Sequence, residues 1–331
     1  MSTVAEPEAA EPAPGAPAAA VPAHVRDHAG NVTVETRARR RLTGLTMVAP
    51  LLVVVLVFMG WPAVWTFVLS FTNMTVTGPT ATHYQFVGLA NYRELFSYGS
   101  GLLDSVGKSL YYLIVSGYIG QAALGFLLAY FLSRSAYTVR AVVGAVVIVA
   151  WLIPEIVTSY MWYVLLSDGG VMQQGYHLFG LNYQTWLISN PMLAVSLANA
   201  WRGAAFSFLL FSAALDGIPN DLIDASQVDG ASSWRRLTRL TIPLVSSAIV
   251  VDLVIITLGT LNDFSLIYAM TGGGPGNASN VLSVFMYRQA FSNYQLAYGT
   301  AIAVVLLLMG AVLAALYIRL LRRQGSLADM R

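Results

Sequence analysis

The chain has 331 residues, of which 56% are hydrophobic and only 10% charged, with a mean hydropathy of +0.64. Those proportions exclude a soluble globular domain and mark an integral membrane protein surrounded by lipid. The lack of cysteine excludes disulfides and thiolate metal sites, the four histidines (His24, His28, His83, His177) have no ligand spacing, and a net charge of +2 gives no case for nucleic acid.

The chain opens with a segment, Met1 to about Thr36, rich in Ala, Pro and Glu that cannot bury enough apolar surface to fold, and with the basic cluster after it residues 1–41 are expected to form a disordered cytoplasmic tail. Arg37, Arg39, Arg40 and Arg41 follow that segment, the reverse of a signal peptide's order. Six apolar runs come next, near 45–71, 105–133, 139–166, 189–215, 244–270 and 294–318. Each can cross a hydrocarbon core of about 30 Å, which takes about 20 helical residues. Only helices satisfy their own backbone in lipid at this length, so the expected fold class is all-α: a polytopic membrane protein with six transmembrane helices over residues 42–320. Pro50, Pro62 and Pro154 predict kinks, and Gly117, Gly120 and Gly125 allow close helix approach. Residues 321–331 read as a cytoplasmic C-terminal tail.

Of the eighteen basic residues, fourteen fall on the side of the N-terminus and three on the other, with Arg202 inside a span. This asymmetry predicts a multi-pass protein of the cytoplasmic membrane with both termini in the cytoplasm. Glu155, Arg202, Asp252 and Asp263 lie within apolar runs, where an ionisable group is costly and usually faces a cavity or a partner. At 1.5 Å per residue, Arg202 lies about 20 Å from the outer end of span four and Asp252 about 12 Å from the inner end of span five. They could meet near mid-membrane, as an ion pair locking two spans or as substrate contacts. Asn199, Arg202 and Phe206 share one helical face, and with Asn262 and Asp263 they supply the donors, acceptors and ring a sugar would use. Equally, each could serve helix packing. Glu155, directly after Pro154, could satisfy backbone freed by the kink.

The sequence holds only a near miss to a nucleotide site. Gly101, Gly107, Lys108 and Ser109 imitate a phosphate loop, but five residues separate the glycines where four are needed, and the segment opens an outer helix. Gly272–Gly274 reads as an outer turn. Between spans four and five lies a different kind of segment, Asp221–Pro243, polar and patterned. Its acidic residues come first and Arg235, Arg236 and Arg239 later, which suits two short helices meeting near Gly230. Leu222, Ala225, Val228 and Ala231 recur every third residue, an apolar stripe offered to a soluble partner.

This loop resembles the conserved cytoplasmic loop of ABC importer membrane subunits. The family pattern is E-A-A, three residues, Gly, nine residues, I-x-L-P; here Asp224, Ala225 and Ser226, then Gly230, then Leu240, Thr241, Ile242 and Pro243 keep the spacing. Phe86-Val87-Gly88-Leu89-Ala90-Asn91-Tyr92 is similar to the F-V-G-L-x-N-Y of maltose-type carbohydrate permeases, as are Asn262-Asp263-Phe264 and Thr271-Gly272-Gly273-Gly274-Pro275. The resemblance implies the type I importer permease fold, with Asp224, Ala225, Ser226, Asp229, Gly230, Ala231 and Pro243 in a coupling loop (216–243). It implies a substrate pathway through Asn199, Arg202, Phe206, Asp252, Asn262 and Asp263. The implied partners are a second homologous permease, two copies of an ATPase that binds ATP and Mg, and an extracytoplasmic solute-binding protein. The chain itself would be no enzyme and hold no cofactor. The cargo implied is a carbohydrate, with glycerol phosphate or an amino sugar as alternatives; an ion-driven secondary transporter using Glu155, Asp252 and Asp263 is the competing class.

Overall fold

The computed structural model describes residues 24–26, 32–34 and 47–328, with side chains over 47–319. Most of the expected N-terminal tail lies outside the described residues, as do 329–331. Two compact units are present, residues 1–63 and 64–331. In the first, β1 (His24–Arg26) pairs antiparallel with β2 (Val32–Val34), Val25 facing Thr33. Strands of three residues are too short to be stable alone, and this small ribbon is an addition to the all-α expectation. Helix α1 (Met47–Leu69) begins in the first unit and ends in the second. A wider π turn, Leu56–Gly60, precedes Pro62, whose ring would otherwise clash with the carbonyl four residues back.

The second unit continues with α2 (Ala90–Leu95), α3 (Leu102–Leu132), α4 (Tyr137–Leu152), α5 (Glu155–Leu166), α6 (Val171–Leu178) and α7 (Pro191–Asp216). It ends with α8 (Asn220–Val228), α9 (Ser233–Leu244), α10 (Ser246–Asn262), α11 (Ser265–Thr271), α12 (Leu282–Tyr287) and α13 (Leu296–Ala328). Among the described residues, four helices are long and apolar enough to cross a membrane, α1, α3, α7 and the stretch of α13 to Arg319; counting two bent pairs as spans gives up to six.

Two of the expected runs are interrupted. Residues 139–166 are not one helix. Ile153 and Pro154 are both extended (ψ 126° and 142°), and the segments on either side are bent by 101°. Proline pushes its predecessor out of the helical region and has no N–H to continue the ladder. The run 244–270 is also interrupted: α10 stops at Asn262, Asp263 is extended, and α11 restarts at Ser265. At the C-terminus the last helix runs to Ala328, past the expected start of the tail.

Helix α7 is central. It packs along α3 so closely that a Cβ on Gly125 would lie 2.5 Å from Ser207 Cβ and 2.8 Å from the Phe208 amide nitrogen, so only glycine fits there. Without a hydrophobic force between helices in lipid, such contact distance is what lets them associate. Around this crossing sit three apolar clusters. Leu113, Leu261, Phe285 and Ile302 join α3, α10, α12 and α13; Tyr112, Leu166, Val195 and Ile267 join α3, α5, α7 and α11; Ala129, Leu132, Phe208 and Phe211 close the other end of α3 and α7.

The loops before α3 and those between α11 and α13 share one end of the unit. Val76 N–H donates to Tyr294 O (2.9 Å), and Lys108 Nζ donates to Asn277 O (2.6 Å). Asn91 holds the first of these loops by donating to the carbonyls of Ser70 and Thr72, both at 2.8 Å. The Phe86–Tyr92 motif is therefore a fastening of the chain onto the end of α1. At the opposite end Arg140 pairs with Asp216, Arg134 lies 4.1 Å over the Tyr130 ring, and α8 and α9 follow.

Candidate functional site

The two helix interruptions meet. Breaking the ladder at Asp263 leaves the first-turn amides of α11 without partners inside their own helix. The Leu266 amide is taken up by two carboxylates: it lies 3.2 Å from Glu155 Oε1 and 3.3 Å from Asp263 Oδ1. Glu155 thus satisfies backbone freed in α11, where the sequence pointed to its own kink at Pro154. Asp263 Oδ2 in turn accepts from the Tyr112 hydroxyl at 2.5 Å. Arg202, arriving from α7, brings Nη1 to 3.8 Å from Glu155 Oε2.

These groups border a cavity of about 400 Å³ between α3, α4, α5, α7, α10 and α11. Gln121, Asn199, Arg202, Asn262 and Ser265 line it, together with Glu155 and Asp263 and the rings of Trp151, Phe206 and Phe264. Trp151 and Phe206 stand with ring centres 6.2 Å apart. Several amides are already held from behind: Asn199 Nδ2 donates to Ser116 Oγ (2.9 Å) and Asn262 Nδ2 to Leu258 O (2.8 Å). The Arg202 and Glu155 side chains remain 29% and 31% exposed, so the pair is reachable from the cavity. Arg202 Nε is buried and makes no hydrogen bond. Chemically the space offers neutral donors and acceptors, one ion pair, a further carboxyl and aromatic faces. Among the described residues, no group of three His, Cys, Asp or Glu could hold a metal ion.

Of the pathway residues expected from sequence, Asn199, Arg202, Phe206, Asn262 and Asp263 line this cavity and Asp252 does not. Asp252 is fully buried between α10 and α7, where Ser207 Oγ lies 2.9 and 3.1 Å from its two carboxylate oxygens. The considered Arg202–Asp252 pair is corrected: Arg202 turns to Glu155, which the break at Pro154 swings to the α11 terminus. Tyr112, Gln121 and Trp151 join the site without any signal in the sequence, and Phe264, part of the Asn262-Asp263-Phe264 motif, adds a ring to the lining. Nothing in an apolar run distinguishes a tyrosine that orients a carboxylate from one that packs.

The loop after α7 forms two short helices about Gly230, as its pattern predicts. Gly230 has φ +70°, its N–H donates to Gln227 O, and the Ala231 N–H reaches Ser226 O, both at 3.0 Å. This is a Schellman cap, which requires a left-handed residue at that position. Ser232 then caps α9 through the Arg235 amide (3.4 Å). The apolar stripe is uncovered in this chain: Val228 is 88% exposed, and Leu222 and Ala225 are exposed with it. Asp224 and Asp229 are likewise exposed.

Residues 121–325 match the family of binding-protein-dependent transport system inner membrane components. The trehalose/maltose transport system permease protein MalF of Thermococcus litoralis is 31% identical over 86% of this chain and 94% of its own. The sn-glycerol-3-phosphate transport system permease protein UgpA of Pectobacterium atrosepticum is 30% identical over 84% and 93%. Among solved structures, a bacterial ABC transporter importing the acidic polysaccharide alginate superposes with a TM-score of 0.72 at 21% identity, covering 86% of this chain and 96% of that one. At that identity the likeness shows the fold.

Proposed function

The chain belongs to the family of binding-protein-dependent transport system inner membrane components, and from that premise we propose that it is the permease subunit of an ATP-driven importer of a disaccharide or small oligosaccharide. The observation that carries the carbohydrate reading is the cavity. Amides, a guanidinium and carboxyls converge there opposite the faces of Trp151, Phe206 and Phe264, and a saccharide presents hydroxyl groups on its rim and apolar C–H faces on its rings. The trehalose/maltose relative supports the same choice. The names of the relatives include an anionic cargo too, so family membership alone leaves the charge of the substrate open.

In this reading Asn199, Arg202, Phe206, Asn262 and Asp263 contact the sugar, while Tyr112 and Glu155 hold Asp263 and Arg202 in place. Asp252 stands behind the cavity as a buried tie between α7 and α10. Residues 216–243 are the coupling element: Leu222, Val228 and Ala231 would seat in a groove of a separate ATPase, which binds ATP and Mg in two copies and does the hydrolysis. Asp224, Ala225, Ser226 and Asp229 frame that contact, Gly230 sets the turn, and Pro243 lies in α9 just before the bend into α10. A second permease completes the pathway, and a solute-binding protein delivers the sugar at the end where Asn91 fastens the loop. This is a membrane assembly in which the present chain transmits force and holds cargo.

The test is coupling. Gly230→Asp and Asp224→Lys, each in the complex reconstituted with its co-purifying subunits, should lose sugar uptake and binding-protein-stimulated ATP hydrolysis while the subunit still inserts. Normal uptake and stimulation in both variants would refute the docking role.

A further inference from the structure

Among the described residues, Arg202 is the only cationic one lining the cavity, against two carboxylic residues. Its guanidinium faces Glu155 Oε2 at 3.8 Å. Glu155 is fixed in that position because its other oxygen lies 3.2 Å from the Leu266 amide. Asp263 adds a second carboxyl, held by Tyr112 and by the same amide. With Asp263 ionised the cavity carries excess negative charge, and with Asp263 protonated the Glu155–Arg202 pair leaves it balanced. In neither state is there a positive charge free for an anion.

A phosphate, sulfonate or uronate entering would surrender its hydration and gain no ion pair in return. A neutral polyol needs only hydrogen bonds, and the amide side chains of Gln121, Asn199 and Asn262 line the cavity to exchange them at no cost to the Glu155 pair. We propose that the cavity selects uncharged saccharides and rejects anionic ones, and that Glu155 is the specificity-determining residue because it neutralises Arg202. The inference rests on the carbohydrate reading and narrows it to one charge class.

The test uses the full chain with the subunits it co-purifies with, in nanodiscs and without any binding protein, so that no other filter acts. Radiolabelled trehalose and maltose are compared with trehalose 6-phosphate and maltobionate by equilibrium binding. A neutral sugar should bind at least tenfold more tightly than its anionic counterpart, a difference of about 1.4 kcal/mol. Glu155→Gln, which frees the Arg202 charge, should bring that ratio to within about threefold, whereas Glu155→Asp should keep most of it. An anionic member that binds the unmodified protein as well as its neutral counterpart overturns the inference and leaves the carbohydrate reading standing, as does a Glu155→Gln ratio equal to the original. Binding by no sugar of either class sinks the carbohydrate reading and this inference with it. Should Glu155→Gln fail to assemble, the neutral-to-anionic ratio of the unmodified protein decides alone.

Discussion

Replacing Gly230 isolates the contribution of backbone geometry to coupling. Its φ of +70° lies in the left-handed region, and a Cβ built there meets nothing within 4 Å. Substitution therefore introduces strain without a clash. An L-residue in this region costs roughly 1–2 kcal/mol, asparagine less because it tolerates the conformation, and a β-branched residue more. One to two kcal/mol is roughly a 5- to 30-fold change in the population of the capped turn. In proteoliposomes containing the whole importer and its binding protein, sugar taken up per ATP hydrolysed should fall in the order Gly, Asn, Ala, Val. Ala should lose about fivefold and Val tenfold or more, with equal amounts of inserted subunit. Equal coupling in Val and Gly, or equal loss in Asn and Val, would refute the argument that the Schellman turn sets the docking geometry.

Other perturbations follow from specific contacts. Gly125→Leu forces side-chain atoms into the α7 backbone at Ala204 and Phe208; overpacking of this kind costs about 1–3 kcal/mol, read as a lower thermal midpoint of the detergent-solubilised complex. Tyr112→Phe deletes the hydroxyl that holds Asp263 Oδ2. A hydrogen bond to a charged group is worth about 1.5–3 kcal/mol, so sugar affinity should drop about tenfold while insertion is unchanged; unaltered affinity would remove Asp263 from the contact set. Asn91→Ala removes two bonds to the carbonyls of Ser70 and Thr72, and limited proteolysis of membrane vesicles should then cut the 71–100 loop faster.

Much of the architecture is legible in residue order because hydropathy responds to the bilayer, and helices there have no alternative. The two-helix loop after α7 is legible for a different reason: Gly230 and the three-residue apolar spacing before it encode a local turn, and local turns need no knowledge of tertiary contacts. What sequence did not reveal arises from two breaks acting together. Pro154 announced a kink but not a bend of 101°, and nothing in Asn262-Asp263-Phe264 announced that α10 would stop. Only when the two ends are brought together does Glu155 find the Leu266 amide and draw Arg202 from Asp252. Depth along a helix, which placed Arg202 near Asp252, says nothing about which way around the helix each residue points. Tyr112 and Gln121 share that obscurity, since their roles depend on partners on other helices.

The absence of cysteine from the chain permits a direct test of the coupling claim. Val228→Cys, at the most exposed apolar position of α8, would be the single thiol of this subunit in a complex assembled with a cysteine-free ATPase carrying one engineered cysteine at a time in its membrane-facing groove. The account predicts a disulfide between Val228→Cys and a groove position, formed with an oxidant and sensitive to ATP. A thiol at 228 that stays fully reactive toward a water-soluble maleimide in the intact complex, and links to no groove position, would contradict it.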